Sequence, residues 1–292
     1  QMASVSGVTV LDVDPGADTN RTVVTMVGTP EAIGKGAFRG IKRASEILDM
    51  NHHNGTHPRM GATDVCPFIP VSGVSDEECI ELSKQVGKRV GNELDIPVYL
   101  YEKSARKPDR VKLPNIRIGE YEGLVNKLKD DNWKPDFGPA KFHVKAGATV
   151  MGCREFLIAY NINLNTKDHR LATDIAFELR EAGRSKRIPN PKSKNLLDGE
   201  IVRHDDGKPV KIPGMFKDVK AIGWYVDIFN RAQISINFNN YKVSTIHDVF
   251  DEACRLADER GVRVTGSELV GLIPLEAMLM AGKHYLKKQN RS

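Results

Sequence analysis

The residue types best suited to proton chemistry lie in one polar stretch between residues 51 and 62. Three histidines stand close together there: His52, His53 and His57. Gly55 and Pro58 exclude a regular helix, so His53 and His57 do not share a helix face although they are four residues apart. Pro58 restricts His57 to an extended conformation, which can direct its imidazole away from the backbone. Residue types alone leave two interpretations open, a functional loop and a polar turn without function.

Two other chemistries are conceivable for this stretch. Imidazoles bind zinc, so His52, His53 and His57 could form a metal site, but the loop supplies no fixed ligand spacing and we expect no metal. A nucleophilic pair of Cys66 and His57 is the second alternative. Cys66 lies in a strand-like apolar run, which disfavours that role.

The elements around the histidines begin with two strands rich in β-branched residues, 8–13 and 21–27, joined by the turn chemistry of residues 14–20. Thr29 and Pro30 predict the N-cap and first position of a helix. Ser75 and Glu78 predict a capping box for a second helix over residues 76–94. Strands are predicted near residues 63–71 and 97–101. Residues 102–132 are predicted to form a charged, partly helical region, and residues 133–150 an ordered loop that leads to a strand.

The second half predicts the order strand-helix-strand-strand-helix-strand, the split βαβ arrangement of ferredoxin-like domains. The predicted strands are 156–164, 219–226, 233–238 and 262–269, and the helices are 167–181, 245–260 and a closing one over 274–286. The first half fits the same plan if an opening strand and helix are missing from its front. We therefore predict an α/β (α+β) protein with two ferredoxin-like βαββαβ-type domains, residues 1–153 and 154–292.

Composition and length fit an ordinary globular protein with two domains. The chain has 292 residues and a net charge of +5, which suits an anionic ligand. No apolar run approaches the roughly 20 residues of a membrane span, and no secretion signal opens the chain. The four cysteines, Cys66, Cys79, Cys153 and Cys254, form no Cys-x-x-Cys pair, which favours reduced thiols and a cytoplasmic location.

A basic, proline-containing insertion occupies residues 184–220. The dipeptide Asp206-Gly207 predicts a hairpin turn within it, so we expect an exposed hairpin. A nucleic-acid-binding arm is the alternative. No aromatic residues are interleaved with the basic ones as on a base-stacking surface, which favours a solvated loop.

Six separated segments resemble the glutamate formimidoyltransferase family, in the family's order and over nearly the whole chain. They are residues 11–14, 20–23, 56–62, 64–70, 133–139 and 266–275. The most distinctive one reads Thr56-His57-Pro58-Arg59-Met60-Gly61-Ala62. The family begins with a further strand-helix unit that has no counterpart here, so the resemblance implies that part of the active site lies outside this sequence.

The resemblance implies transfer of a formimidoyl group from N-formimidoyl-L-glutamate to tetrahydrofolate, a co-substrate, giving 5-formimidoyltetrahydrofolate and glutamate. His57 matches the family's catalytic base, and an unperturbed histidine pKa of about 6.5 suits a group that first takes and then returns a proton. Asp14 matches an acidic residue near that base. It would orient the imidazole or stabilise its charged form, or else serve only as a turn residue.

The resemblance also implies a folate-contacting segment, consisting of Gly138, Pro139, Ala140, Lys141, Phe142, His143, Val144, Lys145, Ala146 and Gly147. Glycine permits close approach to a flat ring, Phe142 could lie against that ring, and the two lysines could meet glutamyl carboxylates. Arg154 is a candidate carboxylate clamp. Arg59 is another, unless it pairs with Asp64. The family further implies a homodimer, without a nucleic acid or membrane partner.

Convergence on one ligand is the architectural expectation: folate in a cleft between the domains requires the His57 loop and residues 138–147 to lie close together. The rival function of a different class is an RNA-binding protein built from two ferredoxin-like domains. That alternative predicts exposed aromatic residues on the sheet in an RNP-type pattern, and no such pattern is present.

Overall fold

Two units, residues 1–155 and 156–292, divide the chain in the computed structural model. The predicted boundary lay between residues 153 and 154. The structure describes residues 1–16, 20–55, 57–193 and 195–290. Among these, no helix combines the length and apolar character that a membrane span requires.

The first unit opens with an antiparallel hairpin of β1 (Val8–Gly16) and β2 (Arg21–Gly28), followed by helix α1 (Pro30–Ile47). The Thr29 hydroxyl accepts a hydrogen bond from the Ala32 amide at 3.4 Å, which confirms the predicted N-cap. Several glycines and alanines form the buried face of α1, so α1 can approach its neighbours closely.

A parallel sheet forms the centre of the first unit. Its strands are β3 (Val65–Phe68), β4 (Val98–Leu100) and β5 (Thr149–Cys153), in the order β3-β5-β4. Helix α2 (Asp76–Leu94) packs against them and carries the predicted capping box, with Ser75 and Glu78 bonding to each other's backbone amides. Every residue of β5 is buried, as expected for a central parallel strand.

This sheet differs from a ferredoxin-like arrangement, because all its described strands run parallel and the β1–β2 hairpin forms a sheet of its own. The cause lies between β4 and β5. A long connection containing the short helices α3 (Leu113–Arg117) and α4 (Glu120–Lys127) carries the chain back to the start of the sheet. Parallel neighbours require such a crossover.

The second unit has one antiparallel sheet. Its successive elements are β6 (Ile158–Leu164), α5 (His169–Leu179), β11 (Val219–Val226), β12 (Arg231–Phe238), α6 (Ile246–Glu259), β13 (Val264–Val270) and α7 (Leu275–Lys288). The strand order is β11-β12-β6-β13, and the chain order of elements is the one that the sequence predicts. Alternate residues of β6 and β12 pack with the helices into one core: Ile158, Tyr160, Ile162, Leu164, Ala232, Ile234, Ile236 and Phe238.

The insertion contributes four two-residue strands, β7 (Arg184–Ser185), β8 (Arg187–Ile188), β9 (Glu200–Ile201) and β10 (Lys211–Ile212). Strand β7 pairs with β10, and β8 pairs with β9. The turn predicted at Asp206-Gly207 is present: Gly207 has φ +78°, and its amide donates to the His204 carbonyl at 2.9 Å. Most described residues between 190 and 213 are exposed, as predicted.

Candidate active site

The histidine loop is fixed against the far end of the predicted folate segment. The Met60 carbonyl accepts from the Ala148 amide at 3.0 Å, and the Ala62 amide donates to the Ala146 carbonyl at 2.9 Å. Gly147 adopts φ +66°, and a Cβ there would lie 2.1 Å from the Met60 carbonyl oxygen. Glycine is therefore required by both conformation and space. Two segments remote in sequence are thus adjacent, as the resemblance implies.

The start of the loop is held by the same segment. The Met50 amide donates to the Lys145 carbonyl at 3.0 Å, and the Asn51 side chain donates to the Val144 carbonyl at 3.4 Å. The Tyr121 hydroxyl of α4 also donates to Val144. Both ends of the loop are consequently tied down by backbone contacts, which limits the positions open to His57 between them.

The His57 ring has a defined tautomer. Its Nδ1 lies 2.8 Å from the Pro58 carbonyl oxygen, and its Nε2 lies 2.8 Å from a guanidinium nitrogen of Arg21. A carbonyl only accepts, so Nδ1 carries the proton, and in the neutral imidazole the basic lone pair is then on Nε2. The same Arg21 nitrogen also lies 3.4 Å from Nδ1, so the guanidinium lies against the ring and not in line with the Nε2 lone pair.

Burial is the largest cause that lowers the pKa of His57, and the positive charge of Arg21 is the second. The hydrogen bond to Pro58 raises this pKa, Arg117 lowers it and Asp64 raises it, and the net direction is downward. A neutral imidazole at neutral pH is the form that can accept a proton. These surroundings therefore favour the neutral imidazole over the imidazolium.

Arg21 is the functional residue that residue-type reasoning missed. It begins β2 and lies opposite Gly16 in the hairpin, which carries it to His57. Its own pKa is lowered by burial and by Arg117, and raised by Asp64 and Asp14. The only signal in the sequence was its place in the resembled segment 20–23, because an arginine in a strand is otherwise unremarkable as a site residue.

Asp14 lies in β1, opposite Val23. Its charge acts on Arg21, whereas the carboxylate that raises the pKa of His57 is Asp64. The hydrogen-bond partners of the imidazole among the described residues are Arg21 and Pro58. Asp14 thus acts on the arginine beside the imidazole and is not among these hydrogen-bond partners of the ring.

Arg59 is already occupied by carboxylates of its own chain. Its guanidinium lies 3.0 Å from Glu120 and 2.6 Å from Glu122 of α4, and also donates to the His53 carbonyl at 3.2 Å. The alternative pairing with Asp64 is wrong, because Asp64 instead accepts from the Met60 amide and pairs with Arg117. Arg59 anchors the loop to α4 and has little capacity left for a substrate carboxylate.

Arg154 lies at the other end of the parallel sheet. It follows β5, and its amide donates to the Phe68 carbonyl at the end of β3. Gly147 precedes β5, so the seven intervening steps of extended chain separate the two residues by about 20 Å. The structure brings Gly147 to the histidine loop and does not bring Arg154 there.

The predicted folate segment has packed and exposed members. Phe142, predicted to lie against a ligand ring, packs beside Tyr121 with ring centroids 5.2 Å apart. His143 Nδ1 accepts from the Ala146 amide at 3.0 Å, so this side chain stabilises the turn. The exposed members are Ala140, Lys141, Val144 and Lys145.

Neither the alternative metal site in the histidine loop nor the Cys66–His57 nucleophilic pair gains support from the described residues. Burial raises the pKa of the Cys66 thiol to about 12, so it is protonated at neutral pH. The His53 imidazole is bonded to the Asn20 carbonyl at 2.8 Å. Within the described ranges, the one group of three side chains spaced for a metal ion lies in the second unit and not in this loop.

Two family models of known proteins together match nearly the whole chain. Residues 1–154 match the family model of the formiminotransferase domain, N-terminal subdomain, and residues 159–292 match that of the formiminotransferase domain. Formimidoyltransferase-cyclodeaminase of Dictyostelium discoideum is 49% identical over 98% of this chain and 48% of its own length. The same enzyme of Sus scrofa is 46% identical over 99% of this chain and 49% of its own.

A shorter relative is covered more fully. Glutamate formimidoyltransferase of Streptococcus pyogenes serotype M1 is 38% identical over 98% of this chain and 86% of its own length. The chain spans about half the length of the two cyclodeaminase relatives. The family models cover nearly all residues of both units. The chain belongs to the formiminotransferase family.

Proposed function

We propose that this protein transfers the formimidoyl group of N-formimidoyl-L-glutamate to tetrahydrofolate, giving 5-formimidoyltetrahydrofolate and L-glutamate. The observation that carries the proposal is His57, whose Nδ1 is bonded to the Pro58 carbonyl and whose pKa is lowered by burial and by Arg21. Family membership and the names of the relatives support the reaction class, a one-carbon transfer in histidine breakdown. The RNA-binding alternative has no support from them.

The reaction forms one carbon–nitrogen bond and breaks another. N5 of tetrahydrofolate attacks the formimidoyl carbon, and His57 Nε2 takes the N5 proton, giving a tetrahedral intermediate. The bond from that carbon to the glutamate nitrogen then breaks, and the proton returns from Nε2 to the departing nitrogen. One group with a suitable pKa thus serves both steps, and no proton is gained or lost overall.

The position of Arg21 beside the His57 ring affects the first proton transfer. One of the Arg21 guanidinium nitrogens lies 2.8 Å from Nε2 and 3.4 Å from Nδ1, against the ring and beside the lone pair that the reaction uses. A substrate N–H that approaches Nε2 must displace it. Once displaced, the guanidinium is available to a substrate carboxylate, and its charge still favours the neutral imidazole.

We infer that tetrahydrofolate lies along residues 138–147, next to the histidine loop. Gly147 keeps the loop close, and Lys141, which is exposed, offers a cation to glutamyl carboxylates. No metal is required by the proton transfers described. A homodimer, which the resemblance implies, and a cytoplasmic location, which the cysteine pattern favours, remain predictions.

The test is an assay of the purified protein with N-formimidoyl-L-glutamate and tetrahydrofolate, following the 5-formimidoyl product by its absorbance and by mass. We expect product only when both substrates are present. Replacing the donor with N-formyl-L-glutamate tests its identity. Absence of product under conditions where the folded protein binds tetrahydrofolate would overturn the proposal.

A further inference from the structure

A second histidine cluster lies in the second unit, between α6 and α7. The imidazoles of His247 and His284 stack with centroids 4.4 Å apart and an interplanar angle of 29°. One nitrogen from each ring and a carboxylate oxygen of Asp248 lie within 4.8 Å of one another. Two helices thus bring three side chains with ligand atoms to one place.

His247 is a buried imidazole without a hydrogen-bond partner among the described residues. It is 9% exposed, and its Nδ1 has neither a partner nor contact with solvent. Its Nε2 is 3.9 Å from Asp248 Oδ1, which is too long for a hydrogen bond. Its Nε2, the nitrogen that faces Asp248, thus has no hydrogen bond there, and the unpaired buried Nδ1 makes the present position of the ring costly in free energy.

His284 is oriented by a carboxylate behind it. Its Nε2 lies 2.9 Å from Asp251 Oδ2. Asp251 also accepts from the Tyr285 hydroxyl at 3.2 Å and from Lys288 Nζ at 2.9 Å, which fixes its position. A carboxylate at Nε2 places the proton there and leaves the Nδ1 lone pair free. Histidines that ligate metals are commonly held by such an outer carboxylate.

We propose that His247, His284 and Asp248 bind a divalent first-row transition metal such as Zn²⁺. Two imidazole nitrogens and one carboxylate oxygen suit this class, whereas Mg²⁺ and Ca²⁺ prefer oxygen ligands throughout. Bonds of about 2.1 Å place ligand atoms roughly 3.4 Å apart, so atoms that lie within 4.8 Å of one another must approach by up to about 1.4 Å. The stacked rings must also turn to direct both lone pairs at the ion. Asp248 is exposed and leaves the site open to an entering ion.

The metal would join the first turn of α6 to α7, so it would stabilise the second unit. It belongs to a different unit from His57 and takes no part in the proposed transfer. Metal binding and transfer activity can therefore be measured independently of each other.

The test uses the full chain without a histidine tag, stripped of metal and titrated with Co²⁺ alone. We expect one equivalent to give visible d–d absorption, which Zn²⁺ then abolishes by displacement. Saturating Zn²⁺ should raise Tm by about 5 °C, because it binds the folded state. Absence of a cobalt signal together with an unchanged Tm would overturn the site.

Two variants locate the ion. His284→Phe keeps an aromatic ring and removes one metal ligand. Asp248→Asn keeps the shape of the side chain and removes the carboxylate ligand. Each variant should abolish the cobalt signal or weaken the affinity for Co²⁺ at least tenfold. The matched controls are His204→Ala, an exposed histidine of the same unit, and His52→Asn with His53→Asn in the other unit. Binding that persists in both ligand variants, or is lost in the His52/His53 control, overturns the assignment.

Discussion

The two histidine clusters differ chiefly in the charges beside them. His57 contacts the guanidinium of Arg21 and is influenced by Arg117, whereas His284 contacts Asp251 and His247 lies near Asp248. A neighbouring cation disfavours both a proton and a metal ion on an imidazole, and a neighbouring carboxylate favours both. The same residue type is thereby set up as a proton acceptor in one unit and as a metal ligand in the other.

The clusters also differ in their support. His57 lies on a loop held by backbone bonds to residues 144–148 and by the Arg59 pairs with α4, while His247 and His284 lie on helices. A loop can yield when a substrate enters, whereas on two helices only the side chains need to move to close around an ion. Because the two clusters use different contacts, a substitution in one cluster should alter the role of that cluster and leave the role of the other unchanged.

The largest expected effect is on turnover. His57→Gln should lower kcat by about 10²–10⁴, the usual contribution of an acid–base group, with little change in folate binding. His284→Phe, the equivalent change in the other cluster, should leave kcat unchanged. Steady-state kinetics on both variants provides the measurement. Turnover close to wild type in His57→Gln would remove this residue from the reaction.

Next in size is the effect of the cation beside the base. Arg21→Gln removes a charge that lowers the pKa of His57, so this pKa should rise. Because the base must be neutral, activity is lost as pH falls through that pKa, and the acidic limb of the kcat/KM profile should move to higher pH. Loss of the substrate-carboxylate contact proposed for Arg21 should also reduce kcat/KM by about 10- to 100-fold.

The pH profile distinguishes the two explanations for such a loss. If Arg21 served only to hold the hairpin in place, kcat/KM would fall without a shift of the acidic limb. Arg21→Lys is the control, since it keeps the charge and alters the geometry, and its limb should stay near that of the wild type.

A smaller effect is expected from the glycine that supports the loop. Gly147→Ala places a Cβ against the Met60 carbonyl in a left-handed conformation, so it should cost about 3 kcal/mol of unfolding free energy and displace His57. Gly207→Ala has a similar φ of +78° with open space around it, and should cost about 1 kcal/mol. Chemical denaturation compares them, and equal losses would mean that the loop contact contributes nothing.

The smallest effect is expected where neither cluster is involved. Replacing residues 190–213 by a short Gly-Ser linker removes β9 and β10, the partners of β8 and β7. It should still change the unfolding free energy by about 1 kcal/mol or less, since most described residues there are exposed. Circular dichroism and thermal melting provide the measurement. An insoluble or unfolded product would show that the insertion supports the core or a subunit contact.

Local signals in the sequence determined much of the fold. Helix caps and strand alternation depend only on residues that are close in sequence, so these elements could be predicted without tertiary information. Examples are the caps at Thr29 and Ser75 and the alternation in β6 and β12. The His57 loop and its adjacency to residues 138–147 followed from the resemblance. The parallel pairing of β5 did not, because register and direction depend on partners remote in sequence.

The roles of the arginines were decided by the tertiary structure alone. Arg21, Arg59 and Arg154 are chemically identical in the sequence, yet one contacts the base, one is neutralised by α4, and one lies beyond the far end of β5. The pairing of His247 with His284 likewise joins residues 37 positions apart on two helices. Electrostatic function depends on distances of a few ångströms between remote residues, and only the packed chain sets those distances.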